Sequence, residues 1–409
     1  MTTLSLAEEE EHFTKLAGGL HARTLSQPPL YIFMPTYDCN LRCSYCFQNH
    51  MRTDASYSHL LRRMTIEMVD SIFASFSNIE RLHGIDSATR RPSLGLFGGE
   101  PLLADNRAVI AHILHRAQES GVEQIWAVSK GTELDAYVDL LGPGLISKIQ
   151  ITLDGRKEVH DRRRIYADGS GSFDRILNNI DLALSRGTQI SVRMNIDRAN
   201  VAELPHLAMT FKQKKWTSMR HFSAYIAAVH GDYSDVLDTW ELSCQYEALK
   251  ERFPEMSAIA LPDDHMGRRA KDVFVNGGRQ SGRESFCGAH AGMYIFDPFA
   301  DIYACWEKTG EPEIKIGHVN ADSTITMIRA NEALWRSRTV ASNPACRKCR
   351  YSLHCGGGCA VAAYERSGQY HSNYCDGFAS RFRSQVATAY RDFVDGKIST
   401  LTADLVCDL

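Results

Sequence analysis

Two groups of cysteines carry the chemistry open to this 409-residue chain. The first is Cys39-Asn-Leu-Arg-Cys43-Ser-Tyr-Cys46, three thiols at spacings x3 and x2. A tetrahedral zinc site takes four ligands, and the nearest fourth candidate, His50, is not at metal-site spacing. Three thiolates suit a [4Fe–4S] cluster, whose fourth iron is left free for a substrate or cofactor. The bland alternative is three buried thiols that merely pack, but their clustering favours metal. The second group is Cys346-Arg-Lys-Cys349-x5-Cys355-Gly-Gly-Gly-Cys359, with Cys375 after it and Cys287 and Cys305 before it. Seven cysteines exceed one tetrahedral site, so two further Fe–S clusters are the economical reading, with structural zinc sites competing. Cys244 and Cys407 are left over; a lone Cys is more often a small core residue.

Composition bounds the setting. Hydrophobic residues make up 44% and charged residues 23%, ordinary for a globular protein, and the net charge of −3 argues against a general nucleic-acid or membrane-surface binder. The N-terminus has no basic or apolar region of a signal peptide, and no run approaches the ~18 apolar residues of a membrane span. Twelve cysteines in such a chain point to a reducing compartment, and a cytoplasmic metalloprotein is expected.

The elements that must position these residues alternate. Residues 1–28 read as a short acidic helix and linker. Strands are expected at Leu30–Pro35, Ser93–Phe97, Gln124–Ser129, Lys148–Leu153, Gln189–Ile196 and near 219–226. Helices are expected at Met64–Leu82, Asn106–Glu119, Glu133–Leu141, Ser172–Arg186 (Ser172 as N-cap, Gly187 past the end) and near 203–213. Six strand–helix pairs argue for an α/β fold: a parallel, open, partial (β/α)6 barrel over 29–230. Residues 231–285 read as a connector with a helix around Trp240–Phe253 and the glycine-rich Asn276–Gly282, 286–376 as a cysteine-rich domain, and 377–409 as a C-terminal helix. The special residues fall at strand C-terminal ends, which in such barrels build one active face. They are the cysteine loop, Gly98-Gly99-Glu100-Pro101, Ser129-Lys130-Gly131, Asp154-Gly155 and Asn195.

The x3–x2 loop with Tyr45 before its last cysteine resembles the cluster loop of radical S-adenosylmethionine (SAM) enzymes. The resemblance implies that Gly98, Gly99 and Glu100 hold the SAM amino group, with the glycines allowing close backbone approach and Glu100 complementing an ammonium. It implies that Tyr45 packs on the adenine and that Ser129 and Asn195 lie at the SAM site. Gln150–Gly155, His160–Arg164 and Gly171–Asp174 resemble the SPASM-type, peptide-modifying members. There, Thr152 and Arg164 reach the SAM amino-acid moiety, and Arg suits a bidentate carboxylate clamp. Lys130 stands where many relatives have Asn. The C-terminal spacing reproduces the SPASM pattern, which implies one cluster on Cys346, Cys349, Cys355 and Cys375 and another on Cys287, Cys305 and Cys359. Its usual glycine before the second cysteine is Ala300 here, and His290, Asp297 and Asp301 are candidates for a missing fourth ligand.

The resemblance implies three [4Fe–4S] clusters, SAM, an electron donor such as flavodoxin or ferredoxin, and a ribosomal precursor peptide that receives a C–C or thioether crosslink. An anaerobic sulfatase-maturing activity, which makes formylglycine, is the alternative enzyme, and a non-catalytic zinc-cluster interaction protein the alternative of another class. Sulfatase-maturing relatives place Asp after the second SPASM cysteine; Trp306 stands there. Asp301 and Glu307 are then the carboxylates that would take a proton, on one face with Cys305 if this region is a hairpin of period two. Only 38 residues precede Cys39, fewer than the winged-helix leader-binding domain of some relatives. A leader peptide is therefore expected to add as a strand to the open edge of the barrel.

Overall fold

Four consecutive apolar residues, Leu30–Phe33 (β1), form a strand that must be covered on both faces, and it sits mid-sheet. The computed structural model describes residues 5–85, 92–229, 235–261, 264–276 and 282–398; residues 277–281 of the glycine-rich stretch and Cys407 lie outside them. β2 (Ser93–Leu96), β3 (Gln124–Ser129), β4 (Ile146–Thr152), β5 (Gln189–Ile196) and β6 (Phe222–Ala228) follow β1 in spatial order, all parallel. The helices Ile66–Leu82, Arg107–Glu119, Phe173–Ser185 and Leu204–Gln213 bury apolar stripes against it. The open α/β partial barrel is thus present.

The sheet does not stop at β1. β7 (Met293–Phe296) pairs parallel to it, and β8 (Asp301–Tyr303), β9 (Gly317–Val319) and β10 (Ile325–Met327) continue antiparallel, giving ten strands in one sheet. The cysteine-rich module therefore grows from the same sheet as the barrel. Its N-terminal cover is the helix Leu6–Leu25, closed by a Ser5–Glu8 capping box. Ala17 of that helix packs against Val340 and Cys346, and Glu10 pairs with Arg347 at 3.0 Å.

Four expectations change. Glu133–Leu141 is not an α-helix but one tight turn, Leu134–Tyr137, because Leu141 is drawn into a bridge with Ile146 at the start of β4. The connector holds the helix expected near Trp240–Phe253, at Thr239–Arg252, but also a second, Asp264–Asn276, and the C-terminal helix Phe378–Val394 packs on that second one, Phe274 meeting Tyr390 and Phe393. Ser172 does not cap its helix with its side chain; Asp161 Oδ1 accepts the Phe173 N–H at 2.9 Å instead. The edge of β6 is engaged at its centre, where Ala260 N–H donates to the Ala224 carbonyl at 2.8 Å and its carbonyl accepts from Ile226 at 3.0 Å. A leader strand cannot pair there without displacing that segment. No helix among the described residues is long and apolar enough to cross a membrane.

Candidate functional site

The C-terminal ends of β1 to β5 lie along one edge of the sheet. Beyond β1, the chain feeding the cysteine loop runs beside the chain leaving β2. Phe97 N–H donates to the Phe33 carbonyl at 3.0 Å, Gly99 to Thr36 at 3.2 Å and Glu100 to Asp38 at 2.8 Å. A Cβ at Gly99 would stand 2.1 Å from the Asp38 carbonyl oxygen, and one at Gly98, where φ is +141°, 2.6 Å from that of Thr36. The close approach these glycines permit is thus to the backbone of the cysteine loop itself.

Glu100 is buried at the end of this ladder. Its carboxylate accepts from Leu102 N–H at 2.7 Å, Ser129 Oγ at 2.9 Å and the Lys130 amide. Burial raises its pKa, and the Lys130 charge and these donors oppose the rise. Ser129 therefore serves Glu100 and also accepts from Gly131 N–H at 2.9 Å.

The loop is pinned on its other side by Arg42 N–H to the Ile165 carbonyl at 2.7 Å and Ser44 N–H to Arg163 at 3.2 Å. Cys39 and Cys43 are buried and Cys46 half-buried. Burial pushes the Cys39 thiol up to about 11 and Cys43 in the same direction, so iron that binds them must displace protons. Leu41 N–H donates to Cys39 Sγ at 3.4 Å and Arg52 Nη2 to Cys46 Sγ at 3.3 Å, donors of the kind that support thiolate ligands.

Tyr45 is fixed by a network that sequence reasoning saw only in part. Its hydroxyl donates to Asp154 Oδ2 at 2.5 Å and accepts from Arg164 Nη1 at 2.7 Å, with the Arg163 guanidinium 5.1 Å from its ring centre. Asp154 is fully buried and also accepts the Asn195 backbone N–H at 3.1 Å; Arg163 Nη1 donates to Asp197 at 2.8 Å. Asn195 contributes backbone here, its amide oxygen being taken by Arg193 Nε at 2.8 Å. Thr152 ends β4 in register with Arg193, nearly buried. His160, buried, accepts from Asp154 N–H at 3.3 Å and faces Ser172 Oγ at 3.1 Å; burial pushes its pKa far down, so the ring is neutral. The sequence places Asp154 on the active face and His160 and Arg163 in the family-like run, but gives none of them this bracing role; Asp197 was missed, and the acid two residues after Asn195 was the available signal.

Arg164 decides what the site can hold. It is 2% exposed, yet its Nε and Nη2 have no protein partner. A buried guanidinium with two free nitrogens beside a cysteine loop fits an anion of carboxylate shape.

The seven later cysteines fall into two groups. Cys346, Cys349, Cys355 and Cys375 lie within electrostatic reach of one another. Cys287, Cys305 and Cys359 form the other group: loss of hydration around the sulfur raises each thiol, although Cys287 as a residue is exposed, and the Glu307 charge adds to the rise at all three. No three His, Cys, Asp or Glu side chains among the described residues close on one point as ligands of a single ion do. Gly356, Gly357 and Gly358 all have positive φ, and a Cβ at Gly358 would stand 1.8 Å from the Tyr374 carbonyl oxygen, so Cys355 and Cys359 are turned into different groups by a bend that requires glycine.

The candidates for a further ligand are committed elsewhere. His290 Nδ1 meets the Trp335 carbonyl at 3.0 Å, Asp297 accepts from Tyr37, and Asp301 pairs with Lys315 at 2.9 Å and His318 at 2.8 Å. β8 ends at Tyr303 and Trp306–Lys308 is a 3-10 turn, so the period of two that was to align Asp301 with Glu307 does not run through Cys305.

Residues 33–208 match the radical SAM superfamily. They form a radical SAM domain. The mycofactocin maturase MftC of Mycobacterium tuberculosis is 27% identical over 354 residues, which cover 84% of this chain and 81% of that protein. A cysteine-type anaerobic sulfatase-maturating enzyme of Clostridium novyi is 19% identical, covering 86% and 93%. The solved structure of native anSMEcpe with bound AdoMet and Cp18Cys peptide superposes with a TM-score of 0.63 at 14% identity over 91% of this chain and all of that one. The shared fold thus extends beyond the radical SAM domain through the cysteine-rich module.

A [4Fe–4S] cluster and SAM are what this family carries, and the barrel site fits them: three thiols, a buried glutamate and a guanidinium with Nε and Nη2 free. The radical SAM domain meets the module at an aromatic stack. Phe97, next to Gly98, lies 5.1 Å from Trp306, next to Cys305.

Proposed function

We propose that this chain is a maturase that abstracts a hydrogen from a ribosomally made precursor peptide and installs a C–C or thioether crosslink. The observation that carries this reading is the buried guanidinium of Arg164, with Nε and Nη2 free, beside the three-cysteine loop, in a chain whose one sheet continues into the module that bears two further cysteine groups. Cys39, Cys43 and Cys46 would hold the cluster with SAM beside it, and with one electron from the external donor the pair would supply the hydrogen-abstracting chemistry that belongs to the cofactor. Arg164 clamps the SAM carboxylate, Glu100 with Gly98 and Gly99 receives its amino group, and Tyr45 orients at the adenine. Thr152, Ser129 and Asn195 shape the same pocket. Closing a bond between a substrate carbon and a second atom also requires one proton and one electron to leave. Glu307 takes the proton; two auxiliary clusters, on Cys346, Cys349, Cys355 and Cys375 and on Cys287, Cys305 and Cys359, suit the electron. Residues 29–230 serve as the SAM barrel, 231–285 as connector and 286–376 as the auxiliary module, with flavodoxin or ferredoxin as donor in a reducing compartment.

Similarity to the Clostridium novyi enzyme keeps formylglycine formation as the second reading, and Trp306 in place of an acid counts against it. The test is to incubate reconstituted protein, SAM and a reductant with the short peptide encoded beside its gene. The product should be lighter by two hydrogens, resist fragmentation between the joined residues and not react with hydrazide. A hydrazide-reactive aldehyde would establish the second reading instead. Deoxyadenosine release with an unaltered peptide would overturn crosslinking of that peptide.

A further inference from the structure

Arg338 is a buried cation, 4% exposed, and it forms no ion pair with a carboxylate among the described residues. Its Nε donates to the Tyr370 carbonyl at 2.6 Å and its Nη2 to the carbonyls of Gly357 at 3.2 Å and Ser372 at 2.9 Å. Nη1 faces His290 Nε2 at 3.4 Å. That imidazole is neutral, its pKa pushed down to about 3 by burial and then by the Arg338 charge itself, so it offers no anion. Burying a guanidinium among carbonyls alone is costly, because no opposite charge offsets its lost hydration.

The opposite charges nearby are sulfur. Arg338 lies within electrostatic reach of Cys287 and Cys359 from one group and of Cys346 and Cys355 from the other. A single point fixes the geometry: a Cβ built on Gly357 would stand 3.7 Å from Cys346 Sγ and 3.9 Å from both Arg338 Nη atoms. The guanidinium is therefore wedged at the glycine bend where Cys355 and Cys359 part. When those thiols bind iron they become thiolates, and a fixed cation between them favours the more negative, reduced state of each cluster.

We infer that Arg338 is a positioning residue shared by the two auxiliary clusters, the counter-charge that raises the reduction potential of both. The inference rests on the two-cluster reading of the seven cysteines. It gives the module one residue through which the two clusters sense a common field, although they share no ligand.

The experiment uses full-length protein in which Cys39, Cys43 and Cys46 are replaced by Ala, so that only auxiliary signals remain. Iron content and EPR-monitored potentiometric titration are compared for Arg338, Arg338→Gln and Arg338→Lys. With Gln, both midpoints should move to more negative potential by at least tenfold in the reduction equilibrium, about 59 mV for a one-electron couple. Lys keeps the charge and should restore most of the shift. If Gln loses iron and Lys retains it, the counter-charge role also stands, with assembly depending on it. Unchanged midpoints in an iron-replete Gln variant, or equal shifts or equal iron loss in Gln and Lys, would overturn the inference and leave a structural clasp. Fewer than about eight iron atoms in the parent protein would overturn the two-cluster reading itself.

Discussion

Tyr37, two residues ahead of Cys39, donates its hydroxyl to Asp297 Oδ2 at 2.9 Å, tying the cysteine loop of the barrel to the hairpin that leads to Cys305. Asp297 also accepts the Phe299 and Asp301 N–H groups at 2.8 and 2.9 Å, so it holds the hairpin turn as well as the loop.

This junction is pH-sensitive. Burial, reinforced by nearby Asp301, raises Asp297 from 3.8 to about 7. Between those values the folded chain holds a proton there that the unfolded chain has released, so stability falls as pH rises through this window. Asp297→Asn removes that term, on the order of a few kcal/mol. Urea unfolding at pH 5 and pH 8 should show a smaller loss of stability on raising the pH in the variant than in the wild type. An identical loss in both proteins would contradict it.

Ala300 occupies the left-handed region, φ 61°, at the turn between β7 and β8, where its carbonyl accepts from Val319 at 2.9 Å. A side chain there costs about 1–2 kcal/mol, partly offset by the extra freedom glycine has when unfolded. Ala300→Gly should therefore stabilise the chain by about 0.5–1 kcal/mol, read as a higher urea midpoint at unchanged slope. Ordinary destabilisation would show that the turn is not strained.

Arg164→Gln removes the charge at the carboxylate clamp. A hydrogen bond to a charged group contributes about 1.5–3 kcal/mol, so SAM affinity should fall about 10- to 100-fold with iron content retained. Equilibrium dialysis with labelled SAM measures this. Wild-type affinity would remove Arg164 from the site.

Glu307→Gln should still release deoxyadenosine with peptide present and lose crosslinked product by at least about tenfold, the lower range for a general base being about 10²-fold. Product at the wild-type rate would eliminate Glu307. Asp301, held by Lys315 and His318, is a poor second candidate.

Much of the site was legible because cysteine spacing and glycine are local signals. β3 and β5 have the bounds their apolar patterns predict. What escaped depends on the partner that wins a residue. Ser129 is expected at the SAM site, but its hydroxyl is donated to Glu100. Leu134, Tyr137 and Leu141 have helical spacing, but Leu141 pairs with Ile146. Arg338 sits in no motif, and its importance appears only once the loops at 357, 370 and 372 close around it.

The central claim is that Cys39, Cys43 and Cys46 hold the cluster at which SAM is cleaved. Replacing all three by Ala should lower the iron content by about four atoms per chain, leave the auxiliary EPR signals in place and abolish 5′-deoxyadenosine formation. Deoxyadenosine released by that variant at the wild-type rate would contradict the assignment.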